Sequence, residues 1–254
     1  HLKARMVQQA LARRTNVIVE KPLASSWEAL TSLISAQPAD QRFLTVGFHD
    51  FYHDYVHRLK HDLVGEKYGK LHRIRMLGLW PRPDAYYTRN AWAGRLRVPE
   101  GPVLDSPLHN AFAHYLMLAL FLAGTTEEHS SVVTQGEAEL YRMRPIESFD
   151  TAGVRLHTSE GVEILAVATH SGCEEEVPRL MIETERARID WRIGEGQVIK
   201  TDTGEPLITP IPDATAARER MYLNLFDRMA GRAVRLCPTR TAAVHAVCIL
   251  DLIA

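Results

Sequence analysis

The sequence predicts an α/β chain in two parts: a short piece of doubly wound parallel sheet, then a larger α+β part with an open, mostly antiparallel sheet. Three observations predict it. The run Val17-Ile18-Val19 has the continuous β-branched composition of a strand buried on both faces. An amphipathic helix pattern separates it from a second run, Phe43 to Phe48, so that helix can act as a crossover. From Ser130 to Lys200 the apolar period falls to two, the period of half-buried strands.

Taken in order, residues 1–14 place Leu2, Met6 and Ala10 on one helical side, with basic residues near the C-terminus, where they suit the helix dipole. Pro22 cannot donate to a ladder and ends the first strand. Ser25-Ser26 offers an N-cap for a helix whose buried stripe is Trp27, Leu30, Leu33 and Ile34. His49 to Val64 reads as helix, Gly65 to Gly69 as a turn and Leu71 to Leu79 as a strand. Residues 80–103 form a Pro/Gly-punctuated, aromatic-rich segment, the kind of long loop that usually carries function. Asp105-Ser106-Pro107 starts a helix that runs to Ala123 and stops at Gly124. Candidate strands follow at Glu137–Arg144, Gly153–Thr158, Val162–His170, Arg179–Glu183, Ala187–Ile193 and Val198–Thr201, a sheet of five or six. Residues 213–229 and 239–254 return to helix. A domain boundary is expected near residue 48, dividing 1–48 from 49–254. The chain opens at His1 inside a helical pattern and closes at Ile253-Ala254 inside another, so a fragment of a longer protein is expected.

Thirty basic and 31 acidic residues give a formal charge of −1, without the basic excess of a nucleic-acid footprint. No apolar run reaches the ~18 residues needed to span a bilayer. Three cysteines, Cys173, Cys237 and Cys248, form no paired motif and point to a reducing cytoplasm.

One residue stands out chemically. Lys21 follows Glu20 and precedes Pro22, at the carboxyl end of the first strand. Open α/β sheets bind their ligands at that end. An ammonium there can meet a phosphate, polarise a carbonyl or pass a proton; it can also merely pair with Glu20.

The stretch V-I-V-E-K-P-L-A, then V-G-F-H-D-F-Y-H-D-Y-V-H-R-L-K from Val46 to Lys60, then the Gly65 to Gly69 turn, resembles the Gfo/Idh/MocA family, the glucose–fructose oxidoreductase and inositol dehydrogenase group. The resemblance covers essentially the whole chain. It implies the C-terminal part of a Rossmann NAD(P)-binding domain followed by a substrate-binding and oligomerisation domain. It also implies hydride transfer between NAD or NADP and a hydroxyl carbon of a sugar, polyol or related compound. Glu20, Lys21 and Pro22 would then border the nicotinamide. The family's G-x-G-x-x-G pyrophosphate loop does not occur here. A cytoplasmic homo-oligomer acting on a small carbohydrate-like molecule is the implied setting.

The family's second signature, a Gly cluster followed by an Asp and a His before an apolar helix, can be placed in two ways. Counting back from Gly124 puts the His at His114 and the Asp at Asn110; the runner-up uses Asp105 and His109. The first placement makes Lys21, Asn110 and His114 the catalytic set. It replaces a carboxylate by an amide, which can orient a ring or a hydroxyl but cannot take a proton. A neutral histidine suits removal of a hydroxyl proton, and a nearby ammonium favours the developing alkoxide. If the segment is helical, each pair is i,i+4 and shares a face. His49, Tyr86, Tyr87, Arg89 and Trp92 are the expected substrate contacts, from their position.

Other readings remain open on the sequence. His49, His53, His57 and His61 recur every four residues, a spacing that on a helix can share a metal; acidic neighbours suit a solvated face equally, and no metal is assigned. NAD-dependent glycoside cleavage on the same fold and a non-catalytic relative are the remaining alternatives.

Overall fold

Ser26 closes the first orphaned turn of a helix in the computed structural model, which describes residues 2–38, 40–202 and 204–253. His1 and Ala254, the expected cut ends, lie outside the described residues. Helix α1 (Lys3–Ala12), strand β1 (Val17–Val19), helix α2 (Trp27–Ser35) and strand β2 (Leu44–Val46) run in the expected α-β-α-β order. Ser26 Oγ accepts the Ala29 N–H at 3.2 Å at the start of α2. β1 and β2 pair in parallel, Val17 opposite Leu44 and Val19 opposite Val46.

A 3-10 turn (His49–Tyr52) leads to α3 (Asp54–Val64), β3 (Leu71–Leu79), α4 (Asp84–Thr88) and a small hairpin, β4 (Arg97–Val98) with β5 (Gly101–Pro102). Helix α5 (Ala113–Ala123) precedes β6 (Val133–Tyr141), β7 (Thr151–Thr158), β8 (Glu163–Thr169), β9 (Glu176–Thr184), β10 (Ala187–Arg192), β11 (Gly196–Thr201) and β12 (Leu207–Thr209). Helices α6 (Ala214–Met229) and α7 (Thr239–Ile253) complete the chain.

The large sheet has eight strands in the order β12-β11-β10-β9-β3-β8-β7-β6. Only β3 and β8 pair in parallel; the other neighbours are antiparallel. The period-two region supplies six of them, β6 to β11, as expected, and β3 and β12 bring the sheet to eight. β3 inserts between β8 and β9, and β12 is too short to show a period. The inward residues alternate along each strand, with Ile74 and Met76, Val154 and Leu156, Ile164 and Ala166, Leu180 and Ile182, and Ile189 and Trp191 all buried. Every residue of α5 except His114 is buried, the pattern of a helix enclosed on all sides. The outward sheet face carries charge, with Arg75 and Glu183 paired at 3.0 Å. The core runs continuously from β1 and β2 into the sheet layer, and the Val46 N–H donates to Cys237 O at 3.0 Å ahead of α7.

Two expected helices change shape. Residues 49–64 are interrupted at His53, whose extended backbone separates the 3-10 turn from α3. The four histidines therefore do not share a helical face. His57 is 2.7 Å from Phe51 O, His61 pairs with Glu127 at 2.8 Å, and His53 stacks on Tyr55. The helix expected from Asp105 begins only at Ala113, after turns through residues 107–112. Ser106 does cap, its Oγ accepting the His109 N–H at 3.2 Å, but Phe112 is drawn onto β3. Its ring stacks on Trp80 and His170 and covers Gly78. Long-range packing of Phe112 outweighs the local helix signal.

No helix among the described residues is long and apolar enough to cross a membrane.

Candidate functional site

β1 ends where Pro22 ends it, and the Lys21–Pro22 peptide is cis. Lys3 from α1 donates to Pro22 O, and Glu20 packs against Gly47, where an added Cβ would stand 3.3 Å from its carboxylate. Lys21 is thereby aimed across the molecule at the turn before α5. Its Nζ donates to Asn110 O at 2.6 Å and to Asn110 Oδ1 at 3.3 Å. Burial holds this ammonium below the usual lysine range, against the opposing charges of Glu20 and Asp105.

Asn110 is held from several sides. Its amide donates to Asp105 Oδ1 at 2.9 Å and, more loosely, to the Tyr86 hydroxyl at 3.4 Å. Asp105 also accepts the Gly94 N–H at 2.7 Å. Burial raises the Asp105 carboxyl, while these donors, Arg89 and Lys21 oppose the rise. Asn110 lies in the turn rather than on α5, so the i,i+4 helical geometry expected for the Asn110–His114 pair does not apply. His114 stands in the first turn of α5 and faces the 3-10 turn. Its ring centroid is 3.9 Å from that of His49, and Phe48 meets it edge-on at 5.6 Å. Burial, His49 and the Lys21 charge hold His114 well below the imidazole range, and His49 is lowered to about 3, chiefly by burial. Asp50 completes this cluster; burial pushes its carboxyl up to about 7.

The runner-up pair separates. Asp105 joins Asn110, whereas His109 turns to Ser25, 3.2 Å away, and stacks on His245 with centroids 5.7 Å apart. Among the expected substrate contacts, Tyr86 reaches Asn110 and His49 reaches His114. Arg89 lies 3.8 Å over the Tyr86 ring and 5.4 Å from that of Trp92. Tyr87 faces elsewhere, lining a cavity with Asp84, Arg144 and Ile146. Sequence reasoning missed Asp50, read as part of a solvated acidic face, and His245, a lone histidine in an otherwise apolar stretch of α7. That isolation was the one signal His245 offered.

Three histidines outside the His49–Asp50–His114 cluster make an acid-stability prediction. His109, His170 and His245 are buried. Burial is the first cause lowering each, His170 and His245 to about 4 and His109 well below its usual value. Unfolded, each takes a proton near pH 6.5. Below that pH the unfolded chain binds more protons, so stability falls as pH drops from about 6.5 toward 4, by about 1.4 kcal/mol per pH unit for each ring. Asp50, raised in the fold, opposes this with one proton. Urea melts between about pH 7.5 and 4.5 should show the decline; a constant midpoint would contradict it.

The residues present fit the nicotinamide end of a dinucleotide site: a buried ammonium at a strand's carboxyl end, next to an amide and two imidazoles. With no Gly-rich loop in the sequence, no pyrophosphate contact is assigned.

No protein-family model and no curated protein matches the chain. Solved structures do. The WlbA dehydrogenase from Chromobacterium violaceum, in complex with NADH and UDP-GlcNAcA, aligns over 99% of this chain and 71% of its own, at TM-score 0.77 and 19% identity. The WlbA dehydrogenase from Bordetella pertussis, with the same two ligands, aligns over 99% and 72%, at 0.76 and 19%. An inositol dehydrogenase homolog from Azotobacter vinelandii, complexed with NADH and myo-inositol, aligns over 99% and 72%, at 0.77 and 12%. This chain therefore shares the fold of these NADH-bound dehydrogenase structures.

Proposed function

We propose that the chain carries the reaction side of an NAD- or NADP-dependent oxidoreductase, moving a hydride between the nicotinamide and a hydroxyl carbon of a sugar, polyol or related compound. The observation that carries this reading is the state of Lys21. Its ammonium has three N–H groups, and Asn110 is its hydrogen-bond partner among the described residues. A donor remains for a substrate oxygen, at the end of a strand where ligands of such sheets bind. The ligands named for the WlbA and inositol dehydrogenase structures agree with a hydroxyl-rich substrate.

Bound NAD(P) supplies the hydride acceptor. Lys21 stabilises the alkoxide that forms as the hydroxyl proton leaves. Asn110, fixed by Asp105 and Tyr86, holds Lys21 and orients the substrate. The proton passes to the His49–Asp50–His114 cluster at His114. Glu20 and Pro22 border the nicotinamide, and His49, Tyr86, Arg89 and Trp92 contact substrate, with Tyr87 behind them. Residues 1–48 belong to the dinucleotide-binding part and residues 49–254 to the substrate and oligomerisation part. Exposed Val167 and Val177 on the open sheet face favour pairing with a second copy, and three free cysteines suit a reducing cytoplasm.

Protein expressed from the full coding sequence is titrated with NADH and NADPH by fluorescence, then assayed at the nicotinamide absorbance with NAD(P)⁺ and a panel of polyols, sugars and nucleotide-sugar uronates. Reduction of cofactor by at least one of them is expected. Sugar release without net reduction would point instead to glycoside cleavage, and no cofactor binding would overturn the reading.

A further inference from the structure

We propose that His49, Asp50 and His114 form a binding site for one divalent transition-metal ion of the zinc or iron(II) class. His49 Nε2 and His114 Nδ1 lie 3.5 and 3.9 Å from Asp50 Oδ2, and one ligand atom from each residue falls within 4.8 Å of the other two. These separations are long for hydrogen bonds, which run about 2.7–3.2 Å between nitrogen and oxygen. They suit donors that share a cation. Two atoms each about 2.1 Å from a tetrahedral zinc stand about 3.4 Å apart.

Burial strengthens the case. Both Asp50 carboxylate oxygens and His114 Nδ1 are shut off from solvent without a hydrogen-bond partner among the described residues. A buried carboxylate in that condition is costly, and native folds rarely leave one. A cation between the three groups would give Asp50 Oδ2 and His114 Nδ1 a partner and offset the carboxylate charge. The donor types also select the ion. Two imidazoles with one carboxylate suit zinc, iron(II) and their neighbours; magnesium and calcium want a shell of oxygens.

The frame is preorganised. His49 and Asp50 are adjacent in the 3-10 turn, whose backbone is held by the Phe51 N–H bonding to Phe48 O at 3.0 Å. His114 comes from the first turn of the enclosed helix α5, and Phe48 walls its ring on one side. Three protein ligands leave a coordination position for water or a substrate hydroxyl. The site rests on the functional reading only in placing this cluster beside the reacting hydroxyl. In the loaded chain the ion, rather than His114, would bear on the oxygen as it loses its proton to water, because a ring nitrogen bound to a metal cannot take that proton.

The test needs neither cofactor nor substrate. Tag-free chain is stripped with chelator and titrated with Co²⁺ and then Zn²⁺, followed by cobalt absorption, metal analysis and thermal melting. One ion per chain is expected, with cobalt bands in the visible that zinc displaces and a melting temperature that rises on loading. Asp50→Asn and His49→Gln should each weaken binding by about tenfold or more, the loss that even an outer partner of a ligand can cause. Circular dichroism shows whether each variant is folded, and His114→Gln carries the test if either is not. His61→Ala, on the exposed side of α3, should bind as the parent does. Absence of a stoichiometric ion, or equal affinity in the parent and the folded ligand variants, overturns the proposal. A failed cofactor assay leaves this result untouched, and a failed metal titration leaves the hydride-transfer reading untouched.

Discussion

Lys21→Met is expected to lower the turnover of hydride transfer by about 10²–10³-fold, the usual loss when one preorganised donor to a developing oxyanion is removed. The substitution keeps an unbranched side chain of similar length. The buried position already disfavours charge, so methionine should fold at least as well as lysine there. What disappears is the cation and its hold on Asn110, bonded at 2.6 and 3.3 Å. If Lys21 acts in the transition state, kcat falls and the melting temperature does not. If it only binds substrate, KM rises and kcat is kept. A kcat within about twofold of the parent would contradict the assigned role.

Gly78→Ala is expected to destabilise the fold by about 3 kcal/mol, the upper part of the range for overpacking a filled core. An added Cβ at Gly78 would stand 2.3 Å from Phe112 Cε1 and 2.5 Å from Cδ1. The Phe112 ring cannot retreat freely, because Trp80 stacks on it at 4.9 Å and His170 at 5.5 Å. For a chain of this size the loss corresponds to a fall of about 6–12 °C in melting temperature. Gly153→Ala on β7 is the control. A Cβ there meets nothing within 4 Å, and its effect should stay within about 0.5 kcal/mol. Phe112 also ends the turn that carries Asn110, so Gly78→Ala should weaken the Lys21–Asn110 contact as well. Thermal melts of both variants, with near-ultraviolet dichroism reporting Trp80, decide the matter; equal melting temperatures would remove Gly78 as the reason the helix starts late.

These two positions differ in how readable they were. Lys21 announces itself locally. A β-branched strand, a charge and a proline in succession place an ammonium at a strand end, and the structure meets that expectation through β1. Gly78 announces nothing, because its meaning lies in Phe112, far along the chain. The same contrast runs through the site. Asn110 and His114 were reached by counting back from Gly124, but the helical face assumed for them fails because Phe112 and Pro107 hold the segment in turns. Asp50 looked like one of several solvated acids. Its burial depends on the break at His53 and on α5 lying across the 3-10 turn, neither of which shows in local periodicity.

By itself the sequence determined the order of the early elements, the period-two strands, the closing helices and the lysine at the end of β1. Each is written in propensity, alternation, capping or proline chemistry within a few neighbouring residues. Only the tertiary structure decided that β3 sits between β8 and β9, that the helix before Gly124 begins at Ala113, and that His49, Asp50 and His114 face one another in a buried cluster. Those outcomes come from packing and desolvation between distant segments. Short-range patterns carry no record of which distant side chain will occupy the space beside them.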